Sequence, residues 1–223
     1  MIADLRGKSA LFVAVRPPLA EAIDEAFARH GAACVRCDTA DVEAALESLR
    51  GEGRTLEVLV IDGSSPAPAV ASLDDYGAEA LTHAVTAGAW PVFACLQRVR
   101  GVLGRFPRYA VALSSTAPNR FAGGADFCAA SEAVLETLCR YVNERLSAED
   151  FRMNVLRHRL RPEPETRGAG DLFATPQEVA GAALALCSGL LDSMRGQVLT
   201  VDRGASFSDN VFRRFEAHAA LGK

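Results

Sequence analysis

No stretch of this chain approaches the roughly 20 consecutive apolar residues needed to span a bilayer, and no basic segment followed by an apolar run opens it. A cytoplasmic protein without membrane contact is expected. Positive charge is also short: 24 Lys and Arg stand against 28 Asp and Glu, giving a formal net charge of −4 and a pI near 5.6. Such a chain has no field with which to hold nucleic acid. Six cysteines in 223 residues are too sparse for a disulfide scaffold and read as reduced, mostly buried thiols. Cys34 and Cys37 form a C-x-x-C, but within AACVRC, a β-like run with no second pair. Redox and zinc pairs sit instead on turns or helix N-termini. The histidines at 30, 83, 158 and 218 lack metal-ligand spacing, and no metal is expected.

What the chain does have is apolar substance, 49% of its residues, enough for one domain with a sizeable core. Residues 9–15, SALFVAV, are a run of the kind buried on both faces of a parallel sheet. Leu19, Ala22, Ile23, Ala26 and Phe27 then recur at helical spacing until Gly31. AACVRC predicts a second strand, DVEAALESLR a second helix and residues 56–62 a third strand. A helical region over 74–99, interrupted at Gly88 and Pro91, leads to a strand at 109–115 and a long helix at 126–146. RMNVLRH is one more strand, and RPEPETRGAG, residues 161–170, is a loop. A last helix has Thr175 as N-cap and Pro176 in first position, and QVLTVDRG closes the sheet. This alternation predicts an α/β fold, a doubly wound parallel sheet with helices on both faces and a ligand crevice at the carboxyl ends of its strands.

The order and spacing of these pieces resemble the short-chain dehydrogenase/reductase family, whose Rossmann-type domain moves hydride between NAD(P) and an alcohol or ketone. The opening GKSALFVAVRPPLAEAIDEAFARHGA follows the family's Gly-Lys, strand, glycine turn, helix and Gly-Ala without a gap. The closing TPQEVAGAALALCSGLLDSMRGQVLTVDRG resembles its last helix, Gly-Gln-x-Leu strand and Asp-Gly-Gly ending. The resemblance implies a single Rossmann-type domain over 1–207, with 208–223 as a tail. The segment between Asp38 and Leu56 is shorter than the family's, as if a helix and the edge strand near the adenine pocket were deleted.

The chemistry departs from that fold. The family's three turn glycines let the backbone approach a pyrophosphate; here those positions are Ala14, Pro18 and Ala20. A proline offers no N–H, and two methyl groups crowd the phosphate space. The Asn-Asn-Ala-Gly of the family appears as Ile61, Asp62, Gly63 and Ser64, and its later Pro-Gly as His158 and Arg159. Asp38 either mimics the acid that holds a ribose or caps the following helix, and the cap is the preferred reading. Ser115 matches the catalytic serine, and thirteen residues later the family's Tyr-Ala-Ala-Ser-Lys-Ala reads CAASEA. Cys128 thus stands for the proton-donating Tyr and Glu132 for the Lys. A carboxylate there raises the pKa of a neighbouring thiol rather than lowering it. The family's helix asparagine falls nearest Thr86. Cys128 and Glu132 do share a helix face, but with no cationic neighbour in sequence the thiol reads as packing in the space of a Tyr. Ser115, without a base, is not an activated nucleophile.

Three functions are consistent with this pattern. The first is a non-catalytic subunit that binds no cofactor and supports a homologous, NAD-dependent partner in a heterodimer or heterotetramer. The family's oligomers assemble through the helix after the catalytic serine and through the last helix and strand, and both are well preserved here. The same losses resemble those of the inactive subunit in the hydroxy(phenyl)methylsuccinyl-CoA dehydrogenases of anaerobic toluene degradation, which act on a CoA thioester. The second is a lyase or isomerase in the old pocket, where Arg157, His158, Arg159 and Arg161 could hold a carboxylate or phosphate, although a solvated basic face is the plainer reading. The third is a divergent reductase. The tail's Phe207, Val211, Phe212 and Phe215 form an apolar stripe suited to packing on the chain itself.

Overall fold

The computed structural model describes residues 4–64, 67, 69–119, 123–160 and 173–206; the loop at 161–170 and the tail stripe lie outside them. Six parallel strands, β1 (Ser9–Val13), β2 (Ala33–Cys37), β3 (Leu56–Asp62), β4 (Tyr109–Ser115), β5 (Arg152–His158) and β6 (Val198–Val201), form one sheet in the order β2-β1-β3-β4-β5-β6. The helices are α1 (Leu19–Arg29), α2 (Val42–Gly51), α3 (Ala78–Ala87), α4 (Ala89–Leu103), α5 (Asp126–Arg145) and α6 (Pro176–Leu186). The chain passes directly from β2 through α2 to β3, so the sheet ends at β2, the shortened edge that the Asp38–Leu56 spacing predicts.

Alternation along each strand sorts the core into two layers. Leu11, Leu59, Ile61, Ala112, Met153 and Val155 face α2, α4 and α5, while Phe12, Val58, Val60, Val111, Leu113 and Leu156 face α1 and α6. Phe12 and Phe27 meet edge to face, ring centroids 5.4 Å apart, an arrangement adding about 0.5–1.5 kcal/mol to their burial. Strands buried on both sides leave ligand access only at the sheet's ends, and the order reverses between β1 and β3, which opens a crevice at their carboxyl ends.

Local signals decide where the helices start and stop. Gly31, at φ 87°, ends the turn after α1. Thr175 accepts from the Glu178 N–H and the Glu178 carboxylate accepts from the Thr175 N–H, a reciprocal cap with Pro176 in the first turn. Two expectations change. Asp41, not Asp38, holds the N-cap position of α2, without a side-chain cap bond, so Asp38 caps nothing. The helical region breaks at Gly88 alone, because Pro91 falls in the first turn of α4, where a missing N–H costs no helical bond. The break is stitched by buried Ser131 of α5, whose Oγ accepts from the Ala89 N–H (3.2 Å) and donates to the Ala84 carbonyl (2.9 Å).

Candidate functional site

The carboxyl ends of β1, β3, β4 and β5 bring the predicted residues to one end of the sheet. At the first, Ala14 holds the left-handed conformation of the turn's first position, φ 57°, at a cost of roughly 1–2 kcal/mol for a residue with a Cβ. The turn after it is closed on itself: the Ala20 N–H donates to the Arg16 carbonyl (3.0 Å) and the Ala22 N–H to the Pro18 carbonyl (3.3 Å). Pro18 has no N–H to add, and Ala20 is buried.

β3 ends in Ile61, buried in the core, and Asp62, whose Oδ1 accepts from the Ser64 N–H at 2.9 Å. Gly63 follows, its N–H bonded to the Leu113 carbonyl (2.9 Å). A Cβ on it would lie 2.5 Å from the Leu135 side chain and 3.1 Å from the Leu113 oxygen. Glycine is required here because α5 and β4 press directly on the backbone.

On β4 the Ser115 hydroxyl donates to the Glu132 carboxylate at 2.6 Å and accepts from the Ala117 N–H at 3.1 Å. Ser115 therefore does have a basic group beside it, which its isolation in the sequence did not reveal. Glu132 is 2% exposed. Burial raises its pKa above the usual carboxylate value, hydrogen bonds from Ser115 and Ser114 work against that, and the charge of Asp62 adds to the rise. Cys128 stands one turn earlier, half-buried, its sulfur 3.8 Å from the Ala67 carbonyl. Burial, and then the Glu132 charge, push its thiol up. Thr86 lies in α3 and spends its hydroxyl on the Thr82 and His83 carbonyls.

β5 contributes a revision. Arg157 is not part of a solvated basic face: its guanidinium meets Glu136 of α5 in a bidentate pair at 2.6 and 2.7 Å, with side-chain exposures of 14% and 9%. With the Asn119 amide turned to suit its neighbours, Arg157 also donates to the Asn119 oxygen at 3.1 Å. His158, opposite Ser115 in the register, has its pKa lowered by burial, against the pull of Asp62, and its Nδ1 has no hydrogen-bond partner among the described residues. The Arg159 guanidinium lies 4.5 Å from the Phe173 ring centre; Arg161 is outside the described residues. Sequence reasoning missed Glu136 and also Asn143, which donates to the Cys139 and Met153 carbonyls and accepts from the Met153 N–H. The spacing Ser131, Glu132, Leu135, Glu136, Cys139, Asn143 was the available signal: one continuous helix face, here the buried one.

The segment before α3 lies over the head of α5. The Val70 N–H donates to the Gly124 carbonyl (3.0 Å), the Tyr76 hydroxyl bonds Asp126, and the Tyr76 ring rests 5.3 Å from that of Phe127. On their outer side α4 and α5 leave a groove of about 440 Å³ lined by Phe93, Leu96, Phe106, Val142 and Leu146, with Arg100 and Arg145 also in its wall. Trp90, Leu138 and Tyr141 on the same two helices are 49%, 37% and 62% exposed. Among the described residues no group of three or more His, Cys, Asp or Glu could hold a metal ion, the six thiols are free, and no helix is long and apolar enough to cross a membrane.

A family model described as enoyl-(acyl carrier protein) reductase matches residues 4–206. No curated protein sequence matches the chain significantly. Among solved structures the chain is similar to the enoyl-[acyl-carrier-protein] reductase (NADH) of Aquifex aeolicus VF5, with a TM-score of 0.73 and 19% identity over 90% of this chain and 97% of that one. It is also similar to the Bacillus cereus enoyl-acyl carrier protein reductase in complex with NADP+ and indole naphthyridinone, with a TM-score of 0.75 and 16% identity over 92% and 99%. At such identities the likeness is one of fold.

Proposed function

The chain belongs to the short-chain dehydrogenase/reductase family, with an enoyl-(acyl carrier protein) reductase-like domain, and we propose that within it the chain is a subunit non-catalytic in hydride transfer, supporting an active, NAD-dependent homologue. The observation that carries this reading is the Ser115–Glu132 contact. In the family this serine offers its hydroxyl to the reacting oxygen of the substrate; here the hydroxyl is given to a buried carboxylate. The neighbouring proton donor is a thiol whose pKa is pushed up, and the charge beside it is negative where the family has a lysine. Hydride transfer to a carbonyl needs a proton delivered to the developing oxyanion, and a carboxylate in that place opposes the charge.

Cofactor binding fails on independent grounds. The turn at Ala14, Pro18 and Ala20 has one N–H missing and others bonded to its own carbonyls, so the helix end has little to offer a pyrophosphate. NAD is assigned to the partner subunit. The apolar outer face of α4 and α5 supports the assembly role: Trp90, Leu138 and Tyr141 are large side chains of the kind that anchor interfaces, and the equivalent helix pair of a homologous subunit is the complementary surface. A CoA thioester is the proposed substrate class of the complex.

Co-expression with an active homologue tests this. The expected result is a heterodimer or heterotetramer by native mass spectrometry, with dehydrogenase activity that survives Ser115→Ala in this chain and is lost on changing the partner's own catalytic tyrosine. A chain that stays monomeric beside every homologue of its own genome, or that oxidises NADH alone, overturns the proposal.

A further inference from the structure

We infer that Ser115 and Glu132 form a nucleophile–base pair that takes an acyl group from an activated ester or thioester, a chemistry independent of the assembly role and of nicotinamide. The geometry is that of a hydroxyl held by its base: Ser115 Oγ lies 2.6 Å from Glu132 Oε2, with a second contact from the Ala117 N–H at 3.1 Å fixing the oxygen. One lone pair of Oγ remains for attack. Ser115 stands at the open carboxyl end of β4 and is only half-buried, whereas Glu132 behind it is 2% exposed. The nucleophile is reachable while its base is screened from water.

Of the groups facing Glu132, Asp62 on β3 adds negative charge and favours basicity, while hydrogen bonds from Ser115 and Ser114 on β4 oppose it; Cys128 on α5 stands one turn away, its thiol shifted upward by burial and then by the Glu132 charge. Burial raises its pKa, so its carboxylate accepts a proton more readily than an exposed glutamate does. Beyond it on the same helix, Glu136 is occupied by Arg157.

The step balances as follows. Ser115 Oγ bonds to the acyl carbon, the bond from that carbon to the alkoxide or thiolate breaks, and the serine proton passes to Glu132 and on to the leaving group. Water then attacks the acyl-serine, giving its proton to Glu132, and the carboxylic acid leaves as Ser115 recovers its hydrogen.

A fluorophosphonate probe tests the pair in the full-length chain. Ser115 Oγ would bond to phosphorus, fluoride would leave and Glu132 would take the proton. Intact-mass spectrometry and peptide mapping are expected to show one adduct per chain, on Ser115, absent in Ser115→Ala and formed at least about tenfold more slowly in Glu132→Gln, which keeps the shape and removes the base. In the wild-type chain the labelling rate is expected to keep climbing as pH rises above 4.5, the ordinary carboxyl value. That profile decides the matter alone if the glutamine variant does not fold. No adduct, an adduct elsewhere, or a rate on Ser115 indifferent to pH overturns the inference, as does an unchanged rate in a folded Glu132→Gln.

Discussion

Replacing Arg157 by Leu removes one side of the buried pair that ties α5 to β5. Glu136, 6% exposed, is then left with a negative charge and no cation, and breaking such a pair costs about 3–5 kcal/mol. For a chain of this length each kcal/mol moves the melting midpoint by roughly 2–4 °C, so Arg157→Leu should melt on the order of 6–20 °C below wild type. The Arg157 contact to Asn119 is lost too, which places the outcome in the upper half of that range. Replacing both partners, Glu136→Met with Arg157→Leu, removes the stranded charge together with its partner and should recover to within about 1 kcal/mol of wild type, or exceed it. Urea unfolding followed by circular dichroism gives the four free energies of the cycle. A single-variant loss below about 1 kcal/mol, or a double variant no better than the single one, would refute the assignment of this pair as a desolvated link between helix and sheet. The same cycle read by sedimentation reports on function: α5 presents Leu138 and Tyr141 on its outer side, so a helix loosened from β5 should also associate less well.

Tyr141→Arg lies on the exposed face and should leave unfolding free energy within about 0.5 kcal/mol while weakening association with the partner at least about tenfold, near 1.4 kcal/mol; sedimentation velocity measures both partners' states. Gly63→Ala sets a methyl group against Leu135 and the Leu113 carbonyl and should cost about 1–3 kcal/mol, read as a lowered melting midpoint. Burial holds the His158 pKa below its ordinary 6.5, so the folded state resists a proton that the unfolded chain accepts. Its stabilising effect is full above pH 6.5 and is lost as pH falls through the lowered value. Glu132, raised, has the opposite sign: its effect is full below pH 4.5 and lost as pH rises. The stability difference between wild type and His158→Gln should therefore shrink on acidification below pH 6.5, and a difference that does not vary with pH would contradict the burial of a neutral imidazole.

Strands β3, β4 and β5 span 56–62, 109–115 and 152–158 as the sequence predicts; β3 and β4 were legible from their apolar centres, Val58–Ile61 and Ala110–Leu113, which are covered on both faces. The Thr175–Pro176 helix start was equally legible, since the cap is made by residues three apart. α5 was legible as a helix but not by its inner face. Leu138 is apolar yet points outward, while Glu132, Glu136 and Asn143 point inward. Their partners, Ser115, Arg157 and Met153, belong to strands 10 to 21 residues away, and helical periodicity carries no record of such pairings. The Arg157–His158–Arg159 run misled for the same reason, since a charged cluster reads as solvated until the carboxylate that buries it is placed. The departures from the family's pattern at Ala14, Pro18, Ala20, Cys128 and Glu132 are visible in the sequence; the bond between Ser115 and Glu132 is not.

The central claim is that this chain keeps the family's fold and a docking face while its partner holds the cofactor. Calorimetric titration of NADH into a purified complex with the active homologue tests it most directly. The account predicts one NADH for every two chains in a complex of equal parts, unchanged when Ser115 and Glu132 of this chain are replaced. One NADH for every chain, or saturable binding by this chain alone, would contradict it.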